Sequence, residues 1–115
     1  MALSVVDNIT LITCEVKDLQ GNVIVRAMLI INSNYGQKIL KDAEVIFLKE
    51  MRGIPNTSAN IVDRREDARP GDGNFVLSVE IADYQGNVSI ITKQSVENAK
   101  DNVRNNVAQI LPNIL

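Results

Sequence analysis

At 115 residues the chain is one domain of ordinary size, able to bury a core without metal or disulfide support, and no second domain fits. A 45% hydrophobic and 23% charged composition is that of a globular protein rather than a disordered or membrane-embedded one, and 12 basic against 14 acidic residues, interspersed, leave no field to draw nucleic acid or an anionic membrane. With no histidine, His-based acid–base catalysis, triads and the commonest metal sites are excluded, and 3% aromatic content leaves almost no platform for bases or sugars.

Taken in chain order, the first ten residues have no basic start and no long apolar run, so they do not read as a signal peptide. Cys14 is the only cysteine, which excludes an internal disulfide. A cytoplasmic protein is expected. Residues 2–7 read as a short first strand. From Ile9 to Lys17, Thr10, Ile12, Cys14 and Val16 alternate with Thr13, Glu15 and Lys17, a half-buried strand with Cys14 as a small core residue; a reactive thiolate is the alternative. A turn at Asp18 to Gly21 follows. Residues 22–32 are apolar on both faces, Val23, Val25, Ala27, Leu29 and Ile31 on one, Ile24, Met28 and Ile30 beside Arg26 on the other. Such a strand needs cover on its second side, from a helix of the same chain or from a neighbouring subunit.

Residues 37–52 fit two patterns. Leu40, Ala43, Phe47 and Met51 form a helical stripe ended by Gly53, whereas Ala43, Val45 and Phe47 alternate as a strand. The Val45-Ile46-Phe47-Leu48 cluster and the neighbouring hairpins favour a strand at 43–49. Residues 53–74, with Pro55, the run Asp63-Arg64-Arg65-Glu66-Asp67 and Arg69-Pro70-Gly71, read as a long loop whose charges are solvated, or which offers Arg64, Arg65 and Arg69 to an acidic partner.

Phe75 to Thr92 then reads as a β-hairpin, Phe75, Leu77, Val79 and Ile81 alternating before a turn at Asp83 to Asn87. Its Glu-x-x-Asp-x-Gln-Gly-Asn-Val pattern repeats that of Glu15 to Val23, 65 positions upstream, and predicts two hairpins. Ser95 is placed as N-cap of a helix over 96–111 stopped by Pro112, with an apolar stripe of Val96, Ala99, Val103, Val107, Ile110 and Ile114 that has to be buried against something.

Gly73 to Ser89 resembles the last two strands of immunoglobulin-like sandwiches from bacterial and phage surface proteins, whose hairpin often reads Asp-x-x-Gly-Asn-Val-Ser. Ile12 to Val23 is similar to the second-to-third strand hairpin of that class, and Leu40 to Val45 to a central strand. There is no second cysteine opposite Cys14 and no core tryptophan. The resemblance implies a mainly β, immunoglobulin-like antiparallel β-sandwich over 1–94 with a C-terminal α-helix over 95–115, which belongs to the same domain or serves assembly.

No catalytic constellation is present, since Glu15 and Glu80 alternate outward and Asp18 and Asp83 open turns, and no phosphate-cradling glycine loop occurs. No cofactor or metal is expected. The function that follows is a non-enzymatic structural or interaction subunit, homo-oligomeric or part of a multi-subunit assembly, and the fold analogy points to a phage virion component of head, neck or tail. Its contacts are placed at Ile24, Met28, Ile30, Val103, Val107 and Ile110, with Arg64, Arg65 and Arg69. The runner-up is a calcium- or carbohydrate-binding module, with Asp63, Asp67, Asp72 and Asn74 as oxygen donors in one loop. A third reading is an α+β protein with helices at 37–52 and 96–111.

Overall fold

The computed structural model describes residues 5–113. Val6–Lys17 (β1) and Val23–Asn32 (β2) form an antiparallel hairpin, Gln37–Arg52 (α1) follows a short turn of 3-10 helix, and Ser58–Pro70 (β3), Leu77–Ile81 (β4) and Ile90–Ile110 (α2) complete the chain. The strands make one open sheet in the order β3-β1-β2-β4, with every neighbouring pair antiparallel. This overturns the sandwich. The layer covering the sheet is a pair of helices rather than a second sheet, so the fold is α+β.

The β1–β2 turn is where it was expected. The Asp18 carboxylate accepts from the amides of Gln20 at 3.0 Å and Asn22 at 2.9 Å, and Gly21 takes φ +86°, which a side chain would resist. The second copy of the motif does not make a hairpin. Residues 82–85 continue beside β2, with the Ala82 amide on the Arg26 carbonyl and the Gln85 amide on the Ile24 carbonyl, and the chain then turns into α2. Ser89 caps that helix by accepting from the Thr92 amide at 3.1 Å. The helix cap thus lies six residues before the expected Ser95, which is inside the helix with its hydroxyl on the Ile91 carbonyl.

The strand expected at 43–49 is a helix. Leu40, Ala43, Phe47 and Met51, the residues of the competing helical stripe, are all buried, whereas Val45, which a strand would have buried beside Phe47, is 66% exposed. The expected loop 53–74 likewise contains the longest strand, β3, which pairs with β1 from Val6↔Pro70 to Lys17↔Ser58. The expected first strand at 2–7 falls partly outside the described residues; its last two positions, Val6 and Asp7, open β1.

α1 carries the chain from β2, across β1, to the outer position of β3, packing on all three, while α2 packs on α1 and β4. Ile12, Cys14 and Val16 of β1, Val25, Ala27, Leu29 and Ile31 of β2, the α1 stripe and Val96, Ala99, Val103 and Val107 of α2 are one continuous buried cluster. The α2 stripe from Val96 to Val107 therefore finds its cover inside the chain, across the expected boundary at 94/95, while Ile110 is 37% exposed and Ile114 lies outside the described residues.

The opposite sheet face is closed by a loop. Ile9, Leu11 and Ile30 are buried there beneath Phe75 and Met28. Phe75 is held by its own backbone: its amide donates to the Asp7 carboxylate at 3.3 Å, and its carbonyl accepts from the Asn32 side-chain amide at 2.8 Å. Gly71 lets the Asp7 carboxylate through, since a Cβ would lie 1.7 Å from its Oδ2. Beyond that patch the face is polar, with Arg26 and Glu15 paired at 3.1 Å across β1 and β2. Of the second face expected for β2, Ile30 and Met28 thus meet a loop of the same chain, whereas Ile24 joins the helix-side cluster.

Candidate interaction surface

β3 lies at one edge of the sheet, so half of its backbone amides and carbonyls point away from β1. At its start the Arg52 guanidinium covers this edge, donating to the Ala59 carbonyl and the Asn60 side chain at 3.0 Å each. From Ile61 onward no strand among the described residues pairs with this edge, where the Ala68 amide is met by the Asp67 carboxylate at 2.8 Å. Pairing with β1 shows which way each charge faces: Arg64 and Glu66 stand opposite Ile12 and Thr10 on the helix side, and Asp63, Arg65, Asp67 and Arg69 opposite Thr13, Leu11, Ile9 and Asp7 on the other.

On the helix side the strand and α1 enclose a groove of about 580 Å³, lined by Thr10, Ile12 and Leu40 below and by Lys41, Glu44, Val45, Arg64 and Glu66 around its rim. Arg64 and Glu44 close it with a bidentate pair, Nη2 to Oε2 at 2.7 Å. That hydrogen bonding and the Glu44 charge raise the Arg64 pKa. The floor is apolar and the rim of mixed sign, with no nucleophile beside a base. Such a groove has room for an apolar side chain on its floor and for charged groups at its rim.

The three arginines do not converge. Arg64 is committed to Glu44; Arg65 lies on the other face, 4.0 Å from Asp63; Arg69 stacks over the Phe75 ring at 5.5 Å. Of the expected apolar contact set, Ile24 joins Val103 and Val107 in the helix-side core, Ile30 and Met28 sit on the opposite face, and Ile110 is 37% exposed at the end of α2. The oxygen donors of the calcium reading are dispersed as well. Asp63 and Asp67 are on β3, while Asp72 receives the Asn74 amide at 2.9 Å in the following loop. Among the described residues no cluster of three or more potential ligating side chains from His, Cys, Asp and Glu occurs.

No protein-family model, curated protein or solved structure matches the chain. No helix among the described residues is long and apolar enough to cross a membrane.

Sequence reasoning missed two exposed features. Ile90 and Ile91, 84% and 81% exposed, were assigned to a strand and instead stand free in the first turn of α2. The Ser89 to Thr92 spacing is the signal that would have moved the helix start to include them. The open edge of β3 was hidden because its residues are charged, a composition that also marks loops.

Cys14 is a core residue, fully buried between Ile12 and Val16 in the helix-side cluster. Burial pushes its thiol up from 9.0 to about 11, against smaller opposing pulls from the Asn60 backbone and Arg52. A thiol whose folded pKa is raised stabilises the fold fully below the unfolded value and loses that contribution as pH climbs through the folded one. Stability measured by urea unfolding is therefore expected to fall between pH 9 and 11 by on the order of 2 kcal/mol more in the wild type than in Cys14→Ala. An identical decline in both proteins would assign it to other groups.

Proposed function

We propose that the chain is a non-enzymatic assembly module that associates with copies of itself through the outer edge of β3 and the groove beside it. The observation that carries this reading is the open edge itself. β3 runs for 13 residues, about twice an ordinary strand, and from Ile61 its outer side has no neighbouring strand among the described residues. Soluble proteins ordinarily shorten, cover or bend such an edge, because it is a template for another chain. The apolar-floored groove along the same strand gives an added chain a place for side chains as well as for backbone. The earlier reasons for a partner, the second face of β2 and the stripe of α2, are met within the chain and no longer support association.

The step from a sandwich to a virion component loses its premise with the sandwich, and the proposal stops at assembly. Its site of action is the cytoplasm, in keeping with a buried, unpaired Cys14. The test is the solution mass of the full chain by light scattering over a concentration series. Dimers or higher multiples at micromolar concentration are the expected result; a monomer persisting into the millimolar range would remove the reading.

A further inference from the structure

The charges on β3 are ordered so that one self-pairing register joins more opposite charges than any other. Resting on the self-association just proposed, we infer that two chains join β3 to β3 antiparallel about a two-fold axis at Glu66, making one continuous sheet of both copies.

A two-fold axis perpendicular to the sheet keeps the helices of both copies on the same side. Side chains that meet across the seam must therefore come from one face, odd positions with odd and even with even between Asp63 and Arg69. With the axis at Glu66, Arg65 stands opposite Asp67 of the second copy and Asp63 opposite Arg69, and symmetry forms each pair twice. Arg64, held by Glu44, meets only Ala68. With the axis at Arg65, that arginine faces itself and Asp63 faces Asp67. At Asp67, Arg65 meets Arg69. At Arg64, Asp63 meets Arg65 in two pairs, but Arg64 faces itself and Arg69 is carried beyond the charged run of the other strand; at Ala68, two Asp67–Arg69 pairs form and Arg65 is left opposite Gly71. Opposite charges across a seam stabilise it and like charges oppose it, so the register at Glu66, with four opposite-charge pairs against one Glu66–Glu66 contact, holds the largest surplus of attraction.

The backbone agrees with this placement. The Ala68 amide is taken by the carboxylate of Asp67 at 2.8 Å, a side chain standing where an edge partner would be, which aims the amides of Arg64, Glu66 and Ala68 outward. Glu66 on Glu66 is then the hydrogen-bonded pair at the axis. Arg65 with Asp67 and Asp63 with Arg69 fall at the non-bonded positions, where side chains approach most closely. The two Glu66 carboxylates lie at the rim of the groove that Lys41 also lines, so each copy places one ammonium on the same groove. Arg65 and Asp63 are more than half exposed in the single chain and stand only 4.0 Å apart at their nearest charged atoms, a weak pairing that the seam replaces.

The test compares the dissociation constants of the full-length wild type, Arg65→Glu, Asp67→Arg and the double variant carrying both, by analytical ultracentrifugation, with circular dichroism to verify folding. Each single change turns two attractive pairs into like-charge pairs and is expected to weaken association by on the order of tenfold to a hundredfold. The double variant, with the net charge of the wild type, exchanges the charges across the seam and is expected to regain most of that loss. If the single variants associate as the wild type does, the seam lies on another surface; the inference falls and self-association stands. If the double variant is no better than the single ones, the register is wrong. A monomeric wild type removes both the inference and the reading on which it rests.

Discussion

Phe47→Ala is expected to destabilise the protein by about 3–5 kcal/mol, a large part of the stability of a domain this size, whereas Val45→Ala, two positions away, should change it by less than about 0.5 kcal/mol. Phe47 is the largest side chain in the core and has no exposed surface; it lies in the α1 stripe against the sheet. Removing its ring leaves a cavity that a helix fixed by Leu40, Ala43 and Met51 on the same stripe cannot readily collapse to fill. Val45 projects away from the sheet at the rim of the groove, so its truncation exposes nothing new. A strand would have placed both residues on one face and made both costly. Urea unfolding of the two variants decides between the arrangements, and comparable losses for both would contradict the helix.

The second large effect is at α2. Val103→Asp should cost more than about 4 kcal/mol at neutral pH and leave little folded protein, while Ile110→Asp should cost about 1 kcal/mol or less. Val103 is fully buried, and the cluster around it is apolar, so the new carboxylate meets no cation or donor. Ile110 is already 37% exposed in the last turn and leaves an introduced charge in contact with water. The sign of the pH dependence follows from burial. The introduced acid has a folded pKa above its unfolded one, so the penalty is least in acid and grows as pH rises through the ordinary carboxylate value of about 3.9. Unfolding curves collected at several pH values would show the Val103 variant recovering partly in acid; a penalty independent of pH would mean that the carboxylate reaches water. If instead α2 were an assembly element loosely attached to a finished domain, Val103→Asp would alter association and leave unfolding unchanged.

How the same turn motif gave two outcomes shows where local pattern stops. Asp18 to Asn22 and Asp83 to Asn87 each bend the chain through a glycine with positive φ, Gly21 at +86° and Gly86 at +75°. After the first, Val23–Asn32 pairs along β1 and buries four residues of one face beneath the helices. After the second, Val88 to Thr92 has the same β-branched character, but Ser89 caps a helix whose later residues Val96, Ala99, Val103 and Val107 match the space beside α1. Helix formation is cooperative, so burial of that long stripe carries Ile90 and Ile91 into the helix against their own preference.

The candidate surface was half legible. Arg64, Arg65 and Arg69 drew notice as a charged group, but alternation of their faces is meaningless until the segment is known to be a strand, and nothing within 63–70 says so. Those residues lack an apolar face because an edge strand at the end of a long ladder can rest on its neighbour's backbone alone. The hydrogen bonds that make β3 a strand come from β1, some fifty residues earlier in the chain.

By itself the sequence determined the features in which one local pattern had no competitor. These are the Asp18 turn, the alternation of β1 with Cys14 inward and of β2 from Val25 onward, the spacing of the α2 stripe from Val96 to Val107 with its stop before Pro112, and the exclusion of histidine chemistry. Tertiary structure decided the rest. Residues 37–52 fit period two and period 3.6 almost equally, and only a sheet face to cover made them a helix; residues 58–70 fit neither, and only the free edge of β1 made them a strand. In both cases the deciding free energy comes from surfaces far away in the chain, burial for α1 and backbone pairing for β3, which no window of neighbouring residues contains.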